Sequence, residues 1–335
     1  MSSPTTQPPT LTSLGTFGVI TSVVLKAHPS LSIITASVNF AVDPSNPSTP
    51  TPTDPNALSD PAAFWRGVSL SYHDCPRVIA AGGYCYSYIY ALGNGAFRFT
   101  SSQLIPDITP DAASALLQPL YTQLNALAIP VSLPATLYPR EYHGGGTRTG
   151  GGAAPVNTRY RSRLFPAYVW KNATQWDAVF GAIRAAVEEG GYTFHGIAYS
   201  PTAEIAGWPG ADSAVNPAWR DTALHGSLME VQAEGLSAQE ARAADERVQA
   251  YVKGWDALMP GVGAYMNEGD PAEGEWQLRF YGSHYRRLMG VKRRWDPWGV
   301  FWARTTVGSE RWEVVTLDGY PMSQNGRLCR VKGET

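Results

Sequence analysis

The sequence has few of the residues on which several common classes of protein depend. Three cysteines among 335 residues (Cys75, Cys85 and Cys329) cannot form a disulfide framework, and Cys75 and Cys85 are either a pair or two separate thiols. Only 16% of the residues are charged, and the net charge of -2 provides no electrostatic surface for nucleic acid or an anionic membrane. No apolar run approaches the ~20 residues that cross a bilayer.

Several functional motifs are also missing. No G-x-G-x-x-G opens a helix, no Walker motif is present, and no G-x-S-x-G offers a nucleophile elbow. The histidines and cysteines lack zinc-ligand spacing, so no metal site is predicted. Residues 1–13 have neither the basic region nor the apolar region of a signal peptide, and we expect a soluble chain.

What is present suffices for a large core: 44% of the residues are hydrophobic and 11% are aromatic. Residues 1–14 are rich in Pro, Ser and Thr and are predicted to be disordered. Residues 43–60 contain five prolines and are predicted to form a surface loop. The glycine-rich stretch 142–154 is a further predicted loop.

Hydrophobic periodicity predicts strands that come in pairs and are followed by helices. The predicted strands are 19–25, 31–42, 87–92, 96–102, 192–199 and 223–231, with a hairpin turn at Gly93-Asn94-Gly95. The predicted helices are 61–68, 110–127, 176–189, 237–258 and 273–295. This order indicates an α+β fold with an antiparallel sheet rather than βαβ units.

Two stretches carry a family resemblance. Residues 264–313, AYMNEGDPAEGEWQLRFYGSHYRRLMGVKRRWDPWGVFWARTTVGSERWE, resemble the C-terminal segment of fungal berberine-bridge-enzyme-like FAD-linked oxidases of the vanillyl-alcohol-oxidase superfamily. Residues 15–29, GTFGVITSVVLKAHP, resemble the last strand region of that family's PCMH-type FAD-binding domain. The resemblance implies that most of the FAD-binding domain lies outside this chain.

The same resemblance implies a division of the chain. Residues 15–30 would end the FAD-binding domain, 31–260 would form an antiparallel substrate domain backed by helices, and 261–335 would return to the flavin side. We therefore expect residues 19–25 to pack near residues 264–267. No residue occupies the context in which the family attaches its flavin covalently.

The resemblance also implies site residues. The predicted FAD contacts are Gly15, Thr16, Phe17, Gly18, Val19, Ile20, Tyr265, Asn267 and His284. Glycines there let the backbone approach a bulky ligand. Tyr265 is the predicted proton acceptor, and its phenol would need its pKa of about 10 lowered to act as a base. The alternative interpretation of Tyr265 is a structural aromatic residue without a catalytic role. His284 is either a flavin contact or a core histidine.

A third stretch, AVNPAWRDTALH at 214–225, resembles a substrate-domain motif of fungal members. It implies that Asn216, Trp219, Arg220 and His225 line a substrate cavity; the alternative is that Trp219 is core and Arg220 pairs locally. The predicted function is an FAD-dependent oxidoreductase that transfers a hydride from a secondary-metabolite or carbohydrate-type small molecule to flavin N5. A non-redox substrate-binding protein, cyclase or scaffold derived from such an oxidase is the alternative.

Overall fold

The computed structural model describes residues 19, 21–22, 29–44, 57–133, 137–141, 158–206 and 213–331. The predictions for residues 1–14, for the glycine-rich stretch 142–154 and for most of the loop 43–60 lie outside these ranges. Gly15, Thr16, Phe17, Gly18 and Ile20 also lie outside them. Val19, Thr21 and Ser22 belong to no strand, and Val19 is 81% exposed. The predicted contact between residues 19–25 and 264–267 therefore stays a prediction.

Ten strands and seven helices form the described part of the chain. The strands are β1 Ser32–Val42, β2 Ala57–Leu58, β3 Tyr84–Gly93, β4 Ala96–Pro106, β5 Arg140–Glu141, β6 Thr158–Pro166, β7 Thr193–Ala198, β8 Thr222–Val231, β9 Trp312–Thr316 and β10 Gly326–Arg330. The helices are α1 Pro61–Ala80, α2 Pro110–Ala126, α3 Ala173–Glu188, α4 Ala203–Ala206, α5 Ala238–Leu258, α6 Trp276–Tyr281 and α7 Tyr285–Trp295.

Eight of the strands form one sheet in the order β2-β1-β4-β3-β7-β8-β6, with β5 paired to β1. All the pairs are antiparallel except β1 with β2. The strands β9 and β10 form a separate antiparallel hairpin. The predicted α+β fold with an antiparallel sheet backed by helices is confirmed.

The central hairpin shows how the sequence specifies this sheet. Between β3 and β4, residues Gly93, Asn94 and Gly95 all have positive φ, at 88°, 52° and 77°. Glycine and asparagine tolerate this conformation, so the chain reverses tightly where the turn was predicted. The helix starts were also predictable: the Thr109 side chain caps α2, and Ser237 caps α5 in a capping box with Glu240.

Helices α1, α2, α3 and α5 cover one face of the sheet, which we call the closed face. Phe194 of β7 lies there between Tyr72 of α1 and Trp255 of α5, with ring centroids 5.9 and 5.8 Å away. Cys75 and Cys85 are buried in the same core and are free thiols. The other face, which we call the open face, has none of these helices packed on it and carries tyrosine, histidine, serine and threonine side chains.

Two predicted helices end elsewhere. Helix α1 runs on to Ala80, well past residue 68, because Ser71, Tyr72, Cys75 and Val78 continue its buried stripe. The helix predicted over residues 273–295 is wrong as a single element. It is divided into α6 and α7 at Gly282, whose φ of 56° is incompatible with a continuous helix, and α6 begins only at Trp276.

The edge strand β6 was not predicted, because its closed face carries arginines instead of apolar residues. Arg159, Arg161 and Arg163 alternate along β6 and are at most 8% exposed. Arg163 makes bidentate contacts of 2.7–2.9 Å with both Asp256 of α5 and Glu273. These ion pairs attach the segment after α5 to the sheet. No helix in the described ranges is long and apolar enough to cross a membrane.

Candidate active site

The candidate site lies where the segment after α5 passes along the edge of β6. Leu164 donates its backbone N–H to the carbonyl of Gly263 at 2.9 Å, and the Ser162 hydroxyl accepts from the N–H of Tyr265 at 3.2 Å. The N–H of Ala264 is bonded to the carbonyl of Arg279 at 2.7 Å. These three hydrogen bonds fix the backbone position of Tyr265 beside the open face of the sheet.

The Tyr265 phenol is in contact with polar and aromatic neighbours. Asn267 donates from Nδ2 to the phenol oxygen at 2.9 Å. The ring meets Trp219 and His225 edge to face, with centroids 5.4 and 5.3 Å apart. Because the phenol oxygen accepts from Asn267, its own proton is left to be donated to a ligand.

The four residues predicted to bind substrate come together around Tyr265, but they differ in what they offer a ligand. Asn216 uses both ends of its amide: Nδ2 donates to the Arg279 carbonyl at 2.7 Å, and Oδ1 accepts from the Ala218 N–H at 2.9 Å. It therefore fixes the 3₁₀ turn Pro217–Asp221 against the later segment. Arg220 donates to the Pro201 carbonyl at 2.9 Å, which is the local pairing that the sequence left open.

Trp219 lines the site, and the buried His225 packs against the rings of Trp219 and Tyr265. Trp219 lies over Tyr199 with centroids 5.6 Å apart and an interplanar angle of 29°. His225 is 2% exposed and lies 3.4 Å from the Ser227 hydroxyl through Nε2. Burial, reinforced by the charge of His195, lowers the pKa of His225 to about 3. The imidazole is therefore neutral at physiological pH.

Two cavities meet at Tyr265 and Asn267, which line both. The smaller, of about 260 Å³, is lined by Tyr199, Trp219 and Phe280 among others, and we call it the aromatic cavity. The larger, of about 790 Å³, is lined by Thr158, Tyr160, Arg161, Glu268 and Asp270 among others, and we call it the polar cavity. Small-molecule sites have volumes of roughly 300–1,000 Å³. The polar cavity is within this range, and the aromatic cavity is just below its lower end.

His284 lies apart from both cavities, in the 3₁₀ turn Gly282–His284. A Cβ at Gly282 would come within 2.7 Å of Asn216 Oδ1, so only glycine allows this close approach. His284 Nδ1 is buried and has no hydrogen-bond partner among the described residues. That orphaned nitrogen is available to a group outside the chain.

Other open-face residues near the site were not predicted. His195 of β7 stacks on Tyr88 of β3 at 4.4 Å and meets Tyr86 edge to face at 4.8 Å. Burial lowers the pKa of His195 to about 4. The tyrosines at every second position of β3 could have indicated His195 and its neighbours. No sequence signal indicated Glu268, because only the fold shows that its Oε2 has no partner among the described residues.

Comparison with known proteins agrees with the sequence resemblance. Residues 264–308 match the family model described as "Berberine and berberine like". The FAD-linked oxidoreductase patO of Aspergillus clavatus is 32% identical over 327 residues, which cover 96% of this chain and 51% of that protein. The bifunctional decalin synthase calF of Penicillium decumbens is 30% identical, over 80% of this chain and 45% of that protein.

Solved structures support the fold. The crystal structure of the VAO-type flavoprotein MtVAO615 from Myceliophthora thermophila superposes with a TM-score of 0.70 at 24% identity, covering 91% of this chain and 51% of that one. The chain is thus a homologue of fungal FAD-linked oxidoreductases and carries a berberine-like segment, as the resemblance predicted. It spans about half the length of the curated relatives that it matches.

Proposed function

We propose that this chain is the substrate-binding part and berberine-like segment of an FAD-dependent oxidoreductase that acts on a small molecule. The observation that carries the proposal is the position of Tyr265: its phenol is held by Asn267 at 2.9 Å, between Trp219 and His225, where two cavities meet. Identity of 32% to an FAD-linked oxidoreductase over 96% of the chain supports it. Residues 31–260 would then be the substrate domain and 261–335 the segment that returns to the flavin.

The polar groups present are suited to an isoalloxazine ring, which alternates hydrogen-bond donors and acceptors along one edge. Tyr265 has a hydroxyl proton to donate, and the side-chain carbonyl of Asn267 makes no hydrogen bond within the described ranges. His284 Nδ1 is buried and unpartnered in the described part of the chain. Bound FAD would supply the two-electron oxidant, and Tyr265 and Asn267 would hold its ring; His284, which lines neither cavity, and residues 15–20 stay predictions.

The side chains around the two cavities would then have separate roles in binding the substrate and in proton transfer. Trp219 and Tyr199 offer flat apolar surfaces that orient a ring of the substrate. Tyr265, which lines both cavities, would act as the base: after its phenol has given its proton to solvent, the phenolate would accept the hydroxyl proton of the substrate as the C–H bond breaks and the hydride leaves for the bound flavin. Asn267 fixes the direction of the phenol by donating to its oxygen. His225, which is neutral, buried and outside both cavity linings, would support the Trp219 and Tyr265 rings and carry no charge.

The test is Tyr265→Phe in the protein encoded by the complete gene. We expect flavin reduction, followed anaerobically by stopped-flow absorbance, to slow by about 10²–10⁴-fold, because proton transfer is made mainly in the transition state. Substrate Kd should change much less. Asn267→Ala is the matched comparison and should loosen the flavin more than it slows reduction. If the flavin of the Tyr265→Phe protein is reduced at the wild-type rate, Tyr265 is not the base, and His225 and His284 are the next candidates.

A second function is favoured by one observation, the 30% identity to a bifunctional decalin synthase. A cyclase or binding protein without redox chemistry would use the same cavities to fold or hold a substrate. The two functions differ in one measurement. An oxidoreductase must bleach its flavin absorbance when mixed with substrate, whereas a cyclase converts substrate with the flavin spectrum unchanged.

A further inference from the structure

The polar cavity contains several charged side chains, and nearly all of them are paired. Arg159 contacts Glu230 at 3.2 Å and Asp245 at 3.5 Å. Arg161 contacts Asp270 at 2.5 Å and also binds Asp245. These four ion pairs fix β6 to β8, to α5 and to the segment after Gly269. They are part of the scaffold and leave no free charge for a ligand.

Glu268 is different. Its Oε2 is buried and has no hydrogen-bond partner in the described ranges, and none of the ion pairs found there includes it. Burial raises the pKa of its carboxyl group, with no neighbouring cation to oppose the effect. Thr158 Oγ1, on the wall of the same cavity, is likewise buried without a partner in the described part of the chain. Native proteins rarely leave such atoms unpaired unless something else satisfies them.

The surroundings of Glu268 place it close to the candidate catalytic residue. Glu268, Tyr160 and Tyr265 line the same cavity, and the charge of Glu268 adds to burial in raising the pKa of Tyr160 and of Tyr199. Tyr265 also contributes to the raised pKa of Tyr199. Tyr199 stacks on Trp219 in the aromatic cavity. A ligand whose ring lies against Trp219 and passes Tyr265 would therefore present its next polar group to Glu268.

We propose that Glu268 is the substrate-recognition residue of the polar cavity, where its carboxylate accepts a hydrogen bond from an O–H or N–H group of a ring-bearing ligand. Thr158 supplies a second hydrogen-bonding hydroxyl in the same cavity. The inference rests on the proposed function only in taking this as the substrate site. It names the substrate class as an aryl or cyclic alcohol or amine. Ligands with a carboxylate at this end should bind more weakly, because two carboxylates that face each other repel.

The test measures binding to the 335-residue chain, without flavin, by ligand-observed NMR titration at neutral pH. The probes are benzylamine, benzyl alcohol and benzoate, which share a ring and differ in the group that Glu268 would meet. We expect both benzylamine and benzyl alcohol to bind and benzoate to bind more weakly. The amine and alcohol arms distinguish a cationic donor from a neutral one, since the amine should lose much more affinity than the alcohol when the carboxylate charge is removed.

Glu268→Gln has nearly the same shape and breaks no ion pair, so the fold should be unchanged by circular dichroism and thermal melting. It should weaken benzylamine binding by at least about tenfold, the usual worth of a charge-assisted hydrogen bond. Benzyl alcohol should change only a few-fold, because the glutamine carbonyl still accepts, and benzoate should bind more tightly. Glu234→Gln, an exposed carboxylate outside both cavities, is the matched control and should leave all three probes unaffected.

Three results would overturn the inference. These are wild-type protein that binds benzoate as tightly as benzylamine, wild-type protein that binds no probe, and Glu268→Gln with unchanged affinity for benzylamine. Trp219→Ala separates the two levels of the argument. Loss of binding there with none in Glu268→Gln would leave the proposed site intact and remove Glu268 from it. If the binding preference depends on Glu268 but the flavin is never reduced, Glu268 keeps its recognition role and the proposed oxidoreductase function fails.

Discussion

The two faces of the sheet are built from the same strands and have opposite characters. Along β3, Cys85, Ser87 and Ile89 point to the helices and are at most 2% exposed, whereas Tyr86 on the open face is 38% exposed. In β8, Leu224 and Leu228 point to the helices, and their neighbours His225 and Ser227 line the other side. Because side chains alternate along a strand, one segment supplies the core and the site together.

The two faces also differ in whether their charged and polar groups have partners. On the closed face near β6, each buried arginine is bonded to carboxylates, so the charges stabilise the attachment of the berberine-like segment. On the open face, Tyr265 has a proton to donate, and His195 Nε2 and Glu268 Oε2 are buried without partners among the described residues. Near β6 the closed-face charges are therefore paired within the chain, whereas the open-face groups named here are left for a ligand.

The largest expected effect comes from breaking the closed-face ion pairs. Arg163→Ala removes two bidentate contacts and leaves Glu273, which is 7% exposed, without its arginine. An uncompensated buried charge of this kind costs about 3–5 kcal/mol. We expect the free energy of unfolding, measured by urea denaturation, to fall by that amount.

The matched control is Arg184→Ala. Arg184 pairs with Glu188 one helical turn away at 2.6 Å, but both side chains are partly exposed, at 43% and 33%. Pairs of this type contribute about 0.3–0.5 kcal/mol. Arg184 also lies over the Trp65 ring, 5.4 Å from its centroid, so its loss should cost at most about 1 kcal/mol more. If Arg163→Ala costs no more than Arg184→Ala, the buried ion pairs do not hold the segment to the sheet.

Most of the architecture was predictable from the sequence, because caps, turns and apolar periodicity act locally. Thr109 and Ser237 begin their helices where predicted, and Gly93-Asn94-Gly95 makes the predicted turn. β6 was missed because its inward positions are arginines, and an arginine reads as exposed until the carboxylates that face it are known. Those carboxylates are 71–110 residues distant in the chain, so no local pattern reveals them.

The candidate site was predictable only in part. The resemblance pointed to Tyr265, Asn267, Trp219 and His225, and the fold brings these four together. It did not show that Asn216 has both ends of its amide bonded within the chain, or that Arg220 is bonded to Pro201. Glu268 could not be predicted at all. Whether a carboxylate has a partner depends on which groups the fold places around it, and the sequence does not state this.

A smaller effect should separate the faces by pH. Burial depresses the pKa of His225 to about 3 in the folded protein, against about 6.5 when unfolded. The stability that depends on a neutral His225 is therefore present above pH 6.5 and is lost as the pH falls towards 3. His225→Gln removes this loss. Relative to wild type, the variant should gain roughly 2 kcal/mol between pH 6.5 and 4.5.

The measurement is urea denaturation of both proteins at both pH values, so that all other titrating groups cancel in the difference. His195 stays in both proteins and serves as an internal constant. A difference between variant and wild type that does not change with pH would mean that His225 takes up its proton freely in the folded state. The open face would then be wet at that position rather than closed by Trp219 and Tyr265.

The smallest effect is expected from the loss of one hydroxyl group on the open face of β3. The loss of one methyl group on the closed face of the same strand is the comparison. Tyr86→Phe deletes one hydroxyl oxygen, which shares a 2.9 Å hydrogen bond with the Tyr88 hydroxyl at an exposed position. Water can replace that bond, so the free energy of unfolding should change by less than about 0.5 kcal/mol. Ile89→Val, three residues away and fully buried, deletes one methyl group and should cost about 0.5–1.5 kcal/mol. If Tyr86→Phe proves the more costly of the two in parallel denaturation curves, the open-face tyrosines belong to the stabilising core, and the division of roles between the faces fails.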